Sequence, residues 1–283
     1  MTPQRFGDLE VRLACSADDV EAAQRLRYKV FYEEMGAWPD AATAALKRDF
    51  DDLDAFADHL LVVDKQHPDN GGIVGTYRFL RRCHAKAHGG FYSAGEFDLA
   101  AVLDWPGEVM ELGRSCVHAD YRRGAILQLL WRGIAAYAKE HNAGLLFGCA
   151  SFPGSDPSAI ALGLSYLHHH HMAPWGLRPR ARDSRYVAMD AMPAHLIDEH
   201  VATKALPPLI KGYLRVGACV GDGAVIDHQF NTVDVCVVVR LDQVTERYSR
   251  HFRPMNSQRP ARVPSIDLSL PSASPGDSLP SSS

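Results

Sequence analysis

The sequence predicts a single mixed α/β domain, a mostly antiparallel sheet flanked by helices. Three observations lead there. Apolar runs of strand length alternate with segments of helical periodicity. The run over 144–150 (GLLFGCA) is apolar throughout, as a strand covered on both faces requires. Residues 123–141 place Leu127, Leu130, Ile134 and Ala138 on one helical face. Such interleaving argues one sheet with helices against it, not separate helical and strand domains.

The elements follow in order. Leu9, Val11 and Leu13 alternate with polar residues and predict a strand over 9–15. Ser16, with Asp19 three residues on, matches a capping box and opens a helix striped by Val20, Ala23, Leu26 and Val30. It runs to about residue 34 and stops near Gly36. Residues 59–63 and 72–80 read as consecutive strands, and 109–117 as a third, broken by Gly113. The long helix over 123–141 and the apolar strand come next, then a helix over 157–168 with proline at a tolerated early position. A short strand over 186–189 precedes a helix over 206–214, strands over 216–226 and 233–239, and a last helix over 242–252. The ordered domain is expected to span 1–253, with about 191–253 as a C-terminal extension. Residues 254–283 hold six prolines and nine serines and are expected to be disordered.

Composition narrows the function. With 46% hydrophobic and 23% charged residues, the 283-residue chain is not a disordered, collagen-like or membrane-embedded protein. A net charge of -4 provides no general basic footprint, so nucleic acid is not an expected partner. Six scattered cysteines without a CxxC pair point to a reducing, cytoplasmic compartment. Four of them, Cys116, Cys149, Cys219 and Cys236, lie in apolar runs and read as small buried hydrophobes. The first fifteen residues lack the apolar core of a secretory signal.

Several clusters could carry chemistry. Arg27 and Phe31 are i,i+4 neighbours beside the first helix's apolar stripe; alone, such an arginine snorkels over the core. Residues 49–54 (DFDDLD) hold four carboxylates, ordinarily a solvated acidic turn, pinned here by Phe50 and Leu53. Arg78 interrupts a strand. Glu111 and Arg114 flank Gly113 on another, where a bulge would re-aim one of them. Ionisable residues within sheet strands are more often functional than those on loops. Arg122, Arg123 and Gly124 lead into the long helix, where amides and arginines favour a phosphate, though one glycine is not a P-loop. The run His168 to His171 suggests metal, but four adjacent residues diverge around a helix end, and no metal site is expected.

Taken in order, LRYKVF, FDxxD, GxxR and ELxR resemble the acyl-homoserine-lactone synthases. These motifs are carried here by Arg27 and Phe31, Asp51 and Asp54, Arg78, then Glu111 and Arg114, within the first half of the chain. A fuller resemblance covers nearly the whole ordered chain. The blocks GCASFPGSDP (148–157), LSYLHHHHMAP (164–174) and LPPLIKGYLRVGACVGDGAVIDHQFNTVDV (206–235) are similar to the bacterial L-ornithine N-alpha-acyltransferases of ornithine-lipid synthesis. Both families share the GNAT acyltransferase fold, whose central strand pair splays.

The resemblance implies transfer of a (3-hydroxy)acyl chain from acyl carrier protein to the α-amine of L-ornithine, giving lyso-ornithine lipid. No cofactor is then bound permanently; the phosphopantetheine thioester of acyl carrier protein is a co-substrate. The family's usual phosphate signature is imperfect at Arg122-Arg-Gly-Ala, which fits a donor with a single phosphodiester. Glu111, Gly113 and Arg114 become the expected catalytic group, with Gly113 marking a backbone N–H for the thioester oxygen and Glu111 a base. Arg27, Phe31, Asp51, Asp54 and Arg78 become substrate-binding, the aspartates either drawing the second ammonium of ornithine or bracing the arginines. Arg122, Arg123 and Gly124 become the phosphopantetheine site. A basic stretch, 178–185, offers an acidic carrier protein a dock. The expected location is cytoplasmic, peripheral on the inner membrane surface where a lipid product is released. Three alternatives stay open: a lactone-forming autoinducer synthase, an acyltransferase for another amine or a hydroxyl, and a non-catalytic module binding acyl carrier protein or lipid.

Overall fold

A computed structural model of the chain describes residues 1–67, 69–122 and 126–244. Its strands are β1 (Gln4–Phe6), β2 (Leu9–Leu13), β3 (Asp58–Asp64), β4 (Ile73–Arg81), β5 (Phe97–Asp98), β6 (Glu108–Val117), β7 (Ala143–Pro153), β8 (Arg180–Ala181), β9 (Cys219–Asp227) and β10 (Thr232–Arg240). They join in the order β1-β2-β3-β4-β6-β7-β10-β9-β8-β5. Neighbours pair antiparallel except β6 with β7 and β8 with β9. The α-helices are α1 (Ala17–Tyr28), α2 (Ala41–Leu46), α3 (Arg82–Ala87), α4 (Ala100–Leu103), α5 (Ile126–Glu140), α6 (Ala161–His171), α7 (Glu199–Ala205) and α8 (Pro208–Arg215).

The alternation of side chains along β3 sorts the helices onto two faces. Leu61 and Val63 meet Ala22, Ala23 and Leu26 of α1 and Val30 just beyond it. Leu60 and Val62 join the larger core with Leu130 and Ile134 of α5 and Ile210 and Tyr213 of α8. Leu130 and Ile134 are fully buried, each contributing about 1.5–3 kcal/mol. The cap of α1 is half of the expected box: Ser16 Oγ accepts from Asp19 N at 3.2 Å. The Asp19 carboxylate turns instead to Arg12, at 2.6 and 2.7 Å, and to Cys15 N. After Tyr28 the helix widens into a π-helical turn, Lys29–Glu34.

The extension from about 191 is woven into the domain: β10 lies beside β7 in mid-sheet, and β9 beside β10. One expectation needs correction. Residues 186–189 make only an isolated bridge, Val187 to Ala224, not a strand. The last helix beyond residue 244, the tail over 254–283, and Arg123 and Gly124 lie outside the described residues.

The parallel pairing of β6 with β7 starts at Glu108–Ala143 and ends at Glu111–Phe147. Beyond it, β6 continues to Val117 against β4 alone, and β7 to Pro153 against β10 alone. The sheet therefore opens in the middle. Gly148 sits at the fork with φ +156°, where a Cβ would lie 2.2 Å from the Leu112 carbonyl oxygen. Only glycine fits so close an approach in that conformation.

Candidate active site

A cavity of about 480 Å³ fills the opening, a size typical of small-molecule sites. Its walls include Val30 and Phe31 from the α1 side and Leu127, Leu209 and Tyr213 from the α5 and α8 side. The two sets belong to opposite faces of the sheet, so the cavity passes through it. Arg78, Glu111, Gly113, Arg114 and Arg122 also line it.

On one side stands a buried ionic network. Arg27 is fully buried; its Nε donates to Asp49 Oδ2 at 2.7 Å, Nη2 to Asp54 Oδ2 at 2.6 Å and Nη1 to Asp54 Oδ1 at 3.0 Å. Arg78 Nη1 donates to Asp51 Oδ1 at 2.5 Å and Asp54 Oδ1 at 2.9 Å. Arg114 reaches Asp51 Oδ2 at 3.1 Å and Asp49 Oδ2 at 3.2 Å. Gln24, His59 and Tyr32 complete the shell, on Asp54 Oδ2, Asp54 O and Asp49 Oδ1 respectively. Three arginines and three aspartates balance, so the aspartates brace these arginines. Burial alone would raise the Asp54 carboxyl, but Arg27 and then Arg78 hold it well below the usual carboxylate range. The acidic turn is thus inverted from expectation: Asp49 and Asp54 face inward and Phe50 is 37% exposed. Asp49, not singled out in the sequence, is central to the network.

The bulge in β6 exists, but Gly113 does not carry it. The β4–β6 register moves from Thr76–Cys116 to Arg78–Gly113, which inserts one extra residue in β6. Arg114 takes the left-handed conformation there, with φ 51°. Such strain costs about 1–2 kcal/mol and persists where surroundings over-determine it. Here Asp49 and Asp51 hold the guanidinium between the rings of Tyr92 and Phe230, 4.6 Å from each centroid. As a result Glu111 and Arg114, which a regular strand would send to opposite faces, line the same cavity.

Glu111 accepts from Tyr92 N at 2.8 Å, Ser93 N at 2.7 Å and Ser93 Oγ at 2.5 Å. Burial pushes its carboxyl up, against the pull of those donors. Tyr92 and Ser93 were outside the sequence-based set. Phe31 packs edge-on to Phe230, so the aromatic of the first helix motif meets the loop before β10.

Other expectations fare unevenly. Arg122 lies at the cavity mouth near the start of α5, bonded to Glu34 and to Val117 O. In the basic stretch, Arg182 donates to Ala94 O and Arg185 to Ile226 O, so both hold backbone in place. His168 to His171 end α6 and join no metal-sized cluster among the described residues. All six cysteines are free; Cys116 and Cys236 are buried as expected, while Cys149 and Cys219 are only partly so.

The acetyltransferase (GNAT) domain family matches residues 26–132. L-ornithine N(alpha)-acyltransferase of Brucella abortus is 47% identical over 252 residues, 88% of this chain and 90% of that protein. The Agrobacterium fabrum protein of the same name is 48% identical over 252 residues, 88% and 86% of the two chains. That of Rhodobacter capsulatus is 41% identical over 245 residues, 86% and 94%. Among solved structures, FeeM, an N-acyl amino acid synthase from uncultured soil microbes, aligns with TM-score 0.48 at 12% identity, covering 88% of this chain and 99% of that one.

Proposed function

The chain belongs to the L-ornithine N(alpha)-acyltransferases, on a GNAT-like fold, and we propose that its cavity joins an acyl thioester to the α-amine of L-ornithine. The observation that carries the reading is the opening between β6 and β7. It combines apolar walls, which suit a fatty chain, with Arg78, Glu111 and Arg114 on one lining. The donor we assign is a (3-hydroxy)acyl chain on the phosphopantetheine of acyl carrier protein. Arg122 at the α5 end is its phosphate contact.

In the reaction the α-nitrogen attacks the thioester carbonyl, a C–N bond forms, the C–S bond breaks, and holo-acyl carrier protein leaves as its thiol once the proton given up by the amine to Glu111 is returned to the sulfur. Three things lower the barrier: holding amine and thioester in contact, removing the amine's proton, and stabilising the oxyanion. The backbone of β6 around Gly113, unpaired on its β7 side, offers an N–H to the oxyanion. Ser93 Oγ, 2.5 Å from Glu111 Oε1, passes the amine proton to that carboxylate. The spare donors of Arg114 hold the amino-acid carboxylate. Phe31 and Tyr92 wall the acceptor, while Arg27, Asp51 and Asp54 keep Arg78 and Arg114 in place.

The product is an amphiphile, and brief contact with the inner membrane surface accounts for its release. No described helix is long and apolar enough to cross a membrane. Purified protein, radiolabelled ornithine and 3-hydroxyacyl carrier protein test the reading together. Label appearing in a solvent-extractable lipid is the expected result. Label transferred only from coenzyme A thioesters would overturn the donor, and no transfer to ornithine would overturn the acceptor.

A further inference from the structure

Opposite the arginine network, the cavity wall carries a second ionisable group that the mechanism above does not use. Asp234 is the third residue of β10, flanked by the apolar residues 233 and 235–239, and pairs with Ser151 of β7. It is 5% exposed and lines the cavity with Thr232, Asp227 and Ser151. Neither Asp234 Oδ1 nor Thr232 Oγ1 has a hydrogen-bond partner among the described residues. Native proteins seldom leave buried oxygens unsatisfied, and leaving a carboxylate oxygen so is costly. The hydroxyls of Thr232 and Ser151 lie close enough to the Asp234 carboxylate to pull it down. A hydroxyl also accepts, so Asp234 Oδ1 and Thr232 Oγ1, both on the cavity lining, can take a further donor from outside the chain.

The charge around them says what kind of donor. Glu96 lies behind, its carboxylate within 4.8 Å of Asp234 and of Cys149 Sγ. Asp227 is the register partner of Thr232 across to β9. Two cations stand near: Arg185, 3.7 Å from Glu96 Oε1 and bonded to the Ile226 carbonyl, and Arg114, which pulls the Asp234 carboxyl down but is itself committed to Asp49 and Asp51. Burial and the neighbouring carboxylates push Glu96 up to about 7, and burial pushes Asp234 up to about 6. A compact cation would relieve this repulsion. A metal ion fits less well. Burial and the two carboxylates hold Cys149 as its thiol, whose single proton faces Ser93 Oγ and Glu96 Oε2, each 3.3 Å away.

We propose that Asp234, with Thr232 and Asp227 beside it and Glu96 behind, seats the side-chain ammonium of the acceptor and so selects a diamino acid. An ammonium brings three donors and one positive charge, which the free oxygens of Asp234 and Thr232 and the surplus negative charge complement. The carboxylate end of the same molecule then lies toward Arg114. This inference rests on ornithine being the acceptor.

The test compares ornithine with norvaline, the same skeleton without the side-chain amine, as acceptors for wild type and Asp234→Asn. A site built around a charged hydrogen bond discriminates strongly against a ligand lacking it. Wild type should prefer ornithine in kcat/KM by ~10²-fold or more, and the variant should lose most of that preference through KM for ornithine, with donor KM unchanged. Ornithine, and not norvaline, should also raise the melting temperature of wild type, a measurement that needs no variant. Wild type acylating both acceptors equally overturns the seat and leaves N-acylation standing, as does a variant that keeps the preference. A kcat collapse at unchanged KM for both acceptors overturns it too, placing Asp234 at the reacting amine. A wild type that acylates no amino acid overturns the parent reading and this one together.

Discussion

Replacing Arg27 by methionine separates bracing from substrate binding. Methionine keeps much of the volume but none of the five-donor fork. Arg27 has no exposed surface, and its removal leaves Asp49 and Asp54, 1% and 7% exposed, short of three charged hydrogen bonds. Removing one partner of a buried ion pair costs about 3–5 kcal/mol. For a domain of this size, that lowers the melting temperature by roughly 6–20 °C. The pH dependence has a definite sign. In wild type, Arg27 and Arg78 depress the Asp54 carboxyl. The stability this contributes is fully present above the unfolded value, about 3.9, and is lost as pH falls through the folded one. Without Arg27, burial, the largest influence on Asp54, pushes its carboxyl upward. Arg78 still opposes that push, so the carboxyl moves up from its wild-type position, and the variant's deficit narrows as pH falls from 7 into the acid range. Circular-dichroism melts at pH 7 and in the acid range read both effects. A variant melting within about 2 °C of wild type at pH 7, with only KM for ornithine raised, would refute the brace and make Arg27 a substrate contact.

Further outcomes follow from other parts of the site. Gly148→Ala places a methyl 2.2 Å from the Leu112 carbonyl oxygen in a conformation with φ +156°, and should cost about 1–3 kcal/mol. The urea midpoint and kcat/KM should fall together; an unchanged midpoint would mean the fork has slack. Glu111→Gln should lower kcat by about 10²-fold, and Ser93→Ala should lower it too if the hydroxyl carries the proton. Because burial raises the Glu111 carboxyl, wild-type turnover should decline on the acid side as that group protonates, and near-native turnover in Glu111→Gln would remove it from the chemistry. Arg122→Glu should raise the donor KM and flatten its salt dependence, leaving ornithine KM unchanged; identical kinetics would take Arg122 out of the dock.

The sheet was readable because it rests on local pattern: β3, β4, β7 and β10 are near-continuous apolar runs, and α5 is a clean stripe. The arginine network was half readable. Its members bunch into two short segments, 24–32 and 49–54, and two strand arginines, but nothing local says that Asp49 points inward and Phe50 outward. That choice belongs to Arg27, which needs two carboxylates beneath α1. The bulge was placed one residue early because glycine is the usual tenant of a left-handed position; at Arg114 ion pairs and two aromatic rings offset the strain. The Asp234 wall was missed. Its parts come from residues 96, 149, 227, 232 and 234, joined only by the pairing of β7, β10 and β9. One clue was present: a lone carboxylate inside the run TVDVCVVVR, which burial punishes unless something answers it. Nothing local in 191–253 says that β10 forms one bank of the opening.

A passage that pierces the sheet also shapes the order of events. Greasy tail and polar head need not share a doorway, so neither reactant blocks the other's approach, and initial-rate plots at varied donor and acceptor should intersect instead of running parallel. Once the amide forms, the two halves are a single molecule threaded through the gap. It departs only when one end is drawn across, and in the proposed reaction the oily end would move into a bilayer.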